Sequence, residues 1–458
     1  MSKMNKHVYI KTFGCQMNER DSEIMEQLLA QSGYIPVANQ TDADLIILNT
    51  CSIRAKAEQK VFSLLGLLRQ QKKQQPSLRI AVAGCVAQQE GQQIIRRMPH
   101  VDIVVGTQQL YQLPEMLGRL ERKETKREVS CNLNKDFTIP PFQKLLQDHP
   151  PQSADFRKFV TIMQGCNNYC SYCVVPTTRG REISRPVADI LEEVRLQVNR
   201  GIKEITLLGQ NVNSYGCTNP VAEKITEKPI GFADLLKMVA EIPGVQRLRF
   251  TTSNPQDLST ELMQCFRDLP NLCHHFHLPV QAGSNAVLKK MQRKYTREIY
   301  LDKVEELRSY CPNIAICTDV IVGFPGETEE DFAQTMDILE TVRFHGSFSF
   351  KYSDRPYTRS ANFNDKIDEQ VKGERLQRFQ GRQDEISLER NQELLNKTVE
   401  VMIESCSSSD FSEPFQMKGR TGSNHIVHLR SSTQLLPGDL VLVTLTHAGQ
   451  HSLKGVFA

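Results

Sequence analysis

TIMQGCNNYCSYCVVPTTRGRE, residues 161–182, carries Cys166, Cys170 and Cys173 as a C-x3-C-x2-C triplet directly after an apolar, β-like run. Three thiolates so close can hold three irons of a cubane iron–sulfur cluster but not the fourth, which leaves one iron open for chemistry. A zinc knuckle would need a fourth Cys or His at short range, and His149 and His274 are too remote to suggest one. A disulfide pair is the other alternative. Tyr172, an aromatic one residue before the last cysteine, favours the cluster.

The chain around this triplet has 458 residues, more than one ordinary core can use, and suggests three domains. No run approaches the roughly 18 apolar residues of a membrane span, and MSKMNKHVYI lacks a signal-peptide core, so a cytoplasmic protein with no membrane partner is expected. Thirteen cysteines, an odd number, fit metal-bound thiolates in a reducing compartment better than a disulfide framework. A net charge of only +3 neither demands nor excludes a nucleic-acid partner, so any basic surface must be local.

Upstream, residues 1–125 alternate strand-like and helix-like patterns. HVYIKTF (7–13), ADLIILNT (43–50), RIAVAG (79–84) and DIVVG (102–106) are expected strands. Asp21 or Ser22 is expected to cap a helix over SEIMEQLLAQ, in which Ile24, Leu28 and Leu29 recur at helical spacing and Gly33 follows as the stop. A second helix follows Cys51, with Ala57, Val61, Leu64 and Leu65 on one face. Such a βαβ series gives a doubly wound parallel sheet. Three of its strands end in a cysteine: Cys15, Cys51 and Cys85, two of them preceded by Gly14 and Gly84. Carboxyl ends of parallel strands share one edge, where ligand sites collect, so a second three-thiolate cluster is expected there. For any one of the three taken alone, ordinary packing at a strand end is the simpler account.

Residues 126–153 turn irregular and proline-rich, as a linker would, with Cys131 an ordinary thiol within it. From 154 to 390 six strand-like runs follow: FVTIM (159–163), EITLL (204–208), RLRFT (247–251), HFHLPV (275–280), ICTDVIVGF (316–324) and SFSFKY (347–352). Helical stretches such as VADILEEVRLQVNRG and TEEDFAQTMDILETV separate them. Six βα units make an open (β/α)6 partial barrel with its site at the C-terminal strand ends. Polar residues gather there: Gln210, Asn211 and Asn213, Ser253 and Asn254, Gln281 and Ser284, and Asp319. As a set they suit the amine, carboxylate and ribose of a nucleoside cofactor, although each alone could serve a turn or cap. Arg179, Arg181 and Arg185 after the triplet could attract phosphate or simply be solvated. Residues 391–458 alternate and are turn-rich, as a small antiparallel β-barrel would be, with Lys418, Arg420, Arg430 and Lys454 as candidate phosphate contacts.

CNNYCSYCVVPTTRGRE, TFGCQMNERDSE, LNTCSIRAKAEQK, AVAGCVAQQ, DVIVGFPGETEEDF and KYSDRPYT together resemble the methylthiotransferase family of radical S-adenosylmethionine enzymes, from about residue 7 to the C-terminus. Within it, GCQMN and NTCSIRAKA resemble the MiaB-type branch that acts on tRNA N6-isopentenyladenosine, rather than the branches for a ribosomal-protein aspartate or threonylcarbamoyl-adenosine. The resemblance implies an N-terminal methylthiotransferase domain, a radical domain and a terminal TRAM barrel that binds the tRNA anticodon stem-loop. It implies two 4Fe–4S clusters, on Cys166, Cys170 and Cys173 and on Cys15, Cys51 and Cys85, and two S-adenosylmethionine molecules per turnover. At the first, a 5′-deoxyadenosyl radical would form and take the C2 hydrogen of the adenosine; the second would donate the methylthio group. An electron donor and a sulfur source are further implied partners. Contacts to S-adenosylmethionine would fall on Tyr172, Gln210, Asn213, Ser253, Gln281 and Asp319, and contacts to RNA on Arg179, Arg181, Lys418 and Arg420. Two positions depart from the family pattern: Asn254 stands where His is frequent, and Tyr357 where Gly is usual. A non-catalytic iron–sulfur RNA-binding module is the reading of another class, but it has no use for two site-differentiated clusters.

Overall fold

The computed structural model describes residues 6–52, 55–145, 155–217, 230–407 and 415–458. It divides into two compact units, one formed by Met1–His149, Met163–Asn167 and Val174–Arg185, the other by Pro150–Ile162, Asn168–Cys173 and Pro186–Ala458.

The first unit is built on strands β1 (Lys6–Thr12), β2 (Tyr34–Pro36), β3 (Leu45–Thr50), β4 (Arg79–Gly84), β5 (Ile103–Val105) and β6 (Glu128–Ser130). They form one parallel sheet in the order β2-β1-β3-β4-β5-β6. The order reverses between β1 and β3, which makes that gap the switch point of a doubly wound fold. Every residue of β3 is buried, as expected where helices cover both faces of a sheet. Ile46, Leu48, Ile80 and Val82 pack with Val61, Leu65 and Leu68 of the helix Ala55–Gln74. β2 and β6 are too short to leave a clear alternation in the sequence, and β6 lies inside the stretch expected to be a linker. Residues 146–153 of that stretch lie outside the described residues.

The first helix corrects an expectation. It spans Gln16–Ala30 and its N-cap is Cys15, not Asp21 or Ser22. Both of those are buried inside it: Ser22 meets Thr12 at 2.7 Å, and Asp21 takes an ion pair with Arg179. The apolar spacing located the helix body, but side chains spent on tertiary partners were taken for a local cap.

The second unit contains β7 (Arg157–Thr161), β8 (Glu204–Leu208), β9 (Arg247–Phe250), β10 (His275–His277), β11 (Ala315–Val322) and β12 (Gly346–Lys351). All their pairings are parallel, and they form two successive sheets, β9-β8-β7 and β10-β11-β12, joined at a Leu248–Leu272 bridge. This is the open (β/α)6 wall. The unit ends in β13 (Thr398–Ser407), β14 (Phe415–Thr421), β15 (Ile426–Ser431), β16 (Leu440–Ala448) and β17 (Leu453–Phe457), closed as a barrel in the order β13-β14-β15-β17-β16. Four seams are antiparallel and the β15–β17 seam is parallel. Val401, Ile403, Val427, Leu429, Val443 and Leu445 alternate inward and fill it, which is the period-two pattern of the sequence.

Arginines of the open wall hold this barrel. Arg249 pairs with Glu204 at 2.9 Å and donates to the Thr421 and Gly422 carbonyls, while Arg247 donates to the Arg420 carbonyl and meets Glu400. Arg249 and Glu204 are both buried, so truncating one leaves the other uncompensated in a poor solvent for charge. Arg249→Ala is expected to destabilise the second unit by about 3–5 kcal/mol, read from the denaturant midpoint of the full chain. A change under about 1 kcal/mol would show that the arginine is dispensable.

Candidate metal centres

Cys15, Cys51 and Cys85 follow β1, β3 and β4, three strands adjacent in the sheet, so the parallel register delivers all three to the same edge beside the switch point. Two glycines permit the approach. Gly14 has φ +117°, and a Cβ there would lie 2.3 Å from the Cys51 Cβ; Gly84 has φ +88°, and a Cβ would lie 2.4 Å from the Thr50 carbonyl oxygen. Beneath the thiols lies a buried polar lattice that sequence patterns did not single out. Asn18 donates to the Thr50 carbonyl (2.8 Å) and to Asn49 Oδ1 (3.2 Å). Asn49 donates in return to the Asn18 carbonyl (2.8 Å) and to Ser22 (2.9 Å), and Thr50 donates to the Ala83 carbonyl (2.5 Å). The signal was present, since Asn49 and Thr50 interrupt an otherwise apolar strand immediately before Cys51.

Charge at this corner favours thiolate. A hydrogen bond from Cys51 and the nearby Arg179 guanidinium hold Cys15 down to about 6 against the opposing effect of burial, and Cys15 also sits at a helix N-terminus. Cys85 is pushed upward by burial, with Arg179 acting against that rise. Three converging thiols, one already acidic, match the donor set of a three-thiolate cubane. Among the described residues, no three His, Cys, Asp or Glu side chains surround a single metal ion. Cluster thiolates bind different irons, so they stand further apart than ligands of one ion do.

Arg179 corrects a further expectation. It is 3 % exposed, with Nη2 at 2.6 Å from Asp21, so it is not free to meet RNA phosphate. Arg181 is exposed. Lys418 and Arg420 both pair with Glu404, at 3.5 and 2.8 Å, and Arg420 also donates to the Asn424 carbonyl. Cys131 donates to the Ala87 carbonyl at 3.2 Å, and burial pushes its thiol up to about 11.

In the C-x3-C-x2-C segment, Cys166 belongs to the first unit and its amide donates to the Gly180 carbonyl. Cys170 and Cys173 belong to the second, where the Cys173 amide closes a turn onto the Cys170 carbonyl. Ser171 is tied down there by the Met291, Lys290 and Ser360 backbones. Arg293, which sequence reasoning missed because it lies 123 positions away, donates to Cys170 Sγ at 3.4 Å and to Asn254 Oδ1 at 3.2 Å. Tyr172 packs edge-on against Phe324 at 6.4 Å, and burial raises its hydroxyl pKa.

The strand-end polar set separates into two kinds. Asn213 is spent on the backbone of Asn254, donating to its carbonyl at 2.9 Å and accepting its amide at 3.0 Å, and Asp319 pairs with His277 at 3.0 Å. Ser253 Oγ and Asn211 Oδ1, in contrast, are buried without a hydrogen-bond partner among the described residues. Gln210 is half-buried just past β8. Gln281 is buried with φ +68°, its backbone bridging the Asp319 carbonyl and the Ile321 amide, and Thr252 has φ +72°. Such left-handed residues at strand ends are sites of stored strain. Tyr357 adopts φ +64° where glycine is usual and leaves its ring 69 % exposed.

Family models match two parts of the chain: "Uncharacterized protein family UPF0004" over residues 7–106 and "Radical SAM superfamily" over residues 160–339. A protein of Desulfotalea psychrophila named tRNA-2-methylthio-N(6)-dimethylallyladenosine synthase is 59 % identical over 450 residues, 98 % of each chain. One of the same name from Syntrophus aciditrophicus is 46 % identical over 98 % of this chain and 94 % of its own. The chain belongs to this synthase family. Among solved structures, the radical S-adenosylmethionine methyltransferase TsrM of Kitasatospora setae matches with a TM-score of 0.55 at 13 % identity, over 78 % of this chain and 74 % of its own. At that identity the likeness speaks for the fold alone. Among the described residues, no helix is long and apolar enough to cross a membrane.

The acidic Cys15 thiol can be measured directly. In the metal-free chain, alkylation of Cys15 by iodoacetamide, followed by mass spectrometry, is expected to rise through about pH 6 and level off by pH 7 to 8. Cys131, held near 11, should still be rising at pH 9. A Cys15 profile that rises only above pH 8 would contradict the thiolate assignment.

Proposed function

We propose that this chain is a radical S-adenosylmethionine enzyme that converts N6-isopentenyladenosine of tRNA to its 2-methylthio form, with its two cysteine triplets dividing the work. A 4Fe–4S cluster and S-adenosylmethionine come with its superfamily, and tRNA comes with the name its relatives carry. Cys166, Cys170 and Cys173 are assigned to the cluster at which S-adenosylmethionine is cleaved. Cys15, Cys51 and Cys85 are assigned to a second 4Fe–4S cluster that supplies the methylthio group, with two S-adenosylmethionine molecules used per turnover. When bound, a cubane on three thiolates supplies an open iron and, once reduced, an electron. The observation that carries this reading is the delivery of three thiols to one sheet edge by three adjacent strands.

The chain's own groups then have definite tasks. Ser253 Oγ and Asn211 Oδ1, buried and unpartnered among the described residues, offer hydrogen bonds to a polar cofactor, with Gln210, Gln281 and Tyr172 assigned as further contacts. Asn213 and Asp319, already committed within the protein, hold that wall in shape. Arg293 donates a hydrogen bond to Cys170 Sγ and so orients that side chain. Arg181, exposed, and Lys418, part-exposed beside Glu404, are assigned to phosphates of the anticodon stem-loop, and unpaired bases of that loop are the part a protein can read individually. The substrate adenosine must leave its stack to expose C2. An electron donor and a sulfur source complete the cycle, in the cytoplasm where tRNA is modified.

Single substitutions separate the two roles. Ala at Cys166, Cys170 or Cys173 should abolish 5′-deoxyadenosine formation in anaerobic assays with dithionite. Ala at Cys15, Cys51 or Cys85 should spare it while eliminating 2-methylthio product on chromatography of digested tRNA. Methylthiolated product from any of the latter three variants would remove that site from the reaction.

A further inference from the structure

Arg179 is 3 % exposed and Asp21 is 5 % exposed, and the guanidinium grips the carboxylate with both nitrogens, Nη2 at 2.6 Å and Nη1 at 3.3 Å. Nη2 also reaches Asn18 Oδ1 at 3.4 Å, the same oxygen that lies 3.7 Å from Cys15 Sγ. Its positive charge acts on both Cys85 and Cys15, lowering each thiol against burial. The segment bearing it is clamped to the first unit: Thr107 donates to the Thr178 carbonyl at 2.5 Å, and the Arg179 amide closes the short helix onto the Val175 carbonyl at 2.7 Å. A buried cation is thus fixed against two of the three strand-end thiols, with one carboxylate balancing it.

We infer that Arg179 and Asp21 act as a pair of opposed charges that sets the reduction potential of a cluster held by Cys15, Cys51 and Cys85; the inference rests on the assignment of that site. Electron uptake adds one negative charge to a cluster. A fixed cation buried close to the ligand sulfurs stabilises the reduced state, and a fixed carboxylate paired with it offsets part of that effect. Arg179 is here a positioning and charge-setting residue, not a ligand. A merely structural ion pair would lose stability on removal of either partner, in the same direction for both. An electrostatic role moves the potential in opposite directions, because Asp21→Asn leaves the cation unbalanced and Arg179→Gln removes it.

The test uses the full chain carrying Cys166→Ala, Cys170→Ala and Cys173→Ala, so that a single cluster site remains. Iron analysis after anaerobic reconstitution comes first: about four irons per chain are expected, and a chain without iron would overturn the site assignment itself. With iron present, a redox titration followed by electron paramagnetic resonance should place the Asp21→Asn midpoint above that of the parent and the Arg179→Gln midpoint below it. Equal midpoints, or shifts of the same sign, would overturn the charge-pair role while leaving the cluster assignment intact. Where Arg179→Gln does not fold, Asp21→Asn decides alone: a raised midpoint supports the inference, and an unchanged or lowered one refutes it.

Discussion

The register of three neighbouring parallel strands is the constraint on which the first unit's chemistry depends. β1, β3 and β4 are hydrogen-bonded side by side, and each ends within three residues of a cysteine. A one-residue slip in any of them would turn its terminal side chain to the other face of the sheet. The slip is resisted twice. Buried aliphatic residues on both faces penalise it hydrophobically, and the Asn18–Asn49–Thr50 lattice would lose several buried hydrogen bonds at once. Close approach at the edge then requires residues without side chains before two of the cysteines, the places taken by Gly14 and Gly84.

Polar groups in the second unit follow a different economy. Most are satisfied within the protein, as with Asn213 on Asn254, Asp319 on His277, and Arg249 between Glu204 and the terminal barrel. A buried polar atom left without a partner costs about 1–3 kcal/mol, and among the described residues of this unit Asn211 Oδ1, Ser253 Oγ, Asn271 Oδ1, His345 Nδ1 and Gln383 Oε1 are such atoms, the first two just past strand ends. The strained backbone at Thr252 and Gln281 falls at the same strand ends.

Much of this was legible in the sequence, because it rests on local spacing. The cysteine triplet, the strand-end cysteines, the βα alternation and the period-two barrel are all patterns within a few residues of one another. What escaped were pairings over long separations. Asp21 looks like a helix cap until Arg179, 158 positions away, is seen to occupy it, and Arg179 looks like a surface phosphate contact for the same reason. Arg293 is unremarkable in sequence and acquires a role only by meeting Cys170. β2 and β6 escaped because YIP and EVS hold one aliphatic residue each and form no apolar run, unlike the equally short IVV of β5.

The proposed function gives the chain two iron sites of like composition in unlike surroundings. Iron and acid-labile sulfide, measured on the anaerobically reconstituted full chain and on its Cys51→Ala variant, test that most directly. The account predicts about eight irons and eight sulfides per chain, falling to about four of each in the variant. About four in both proteins would contradict it.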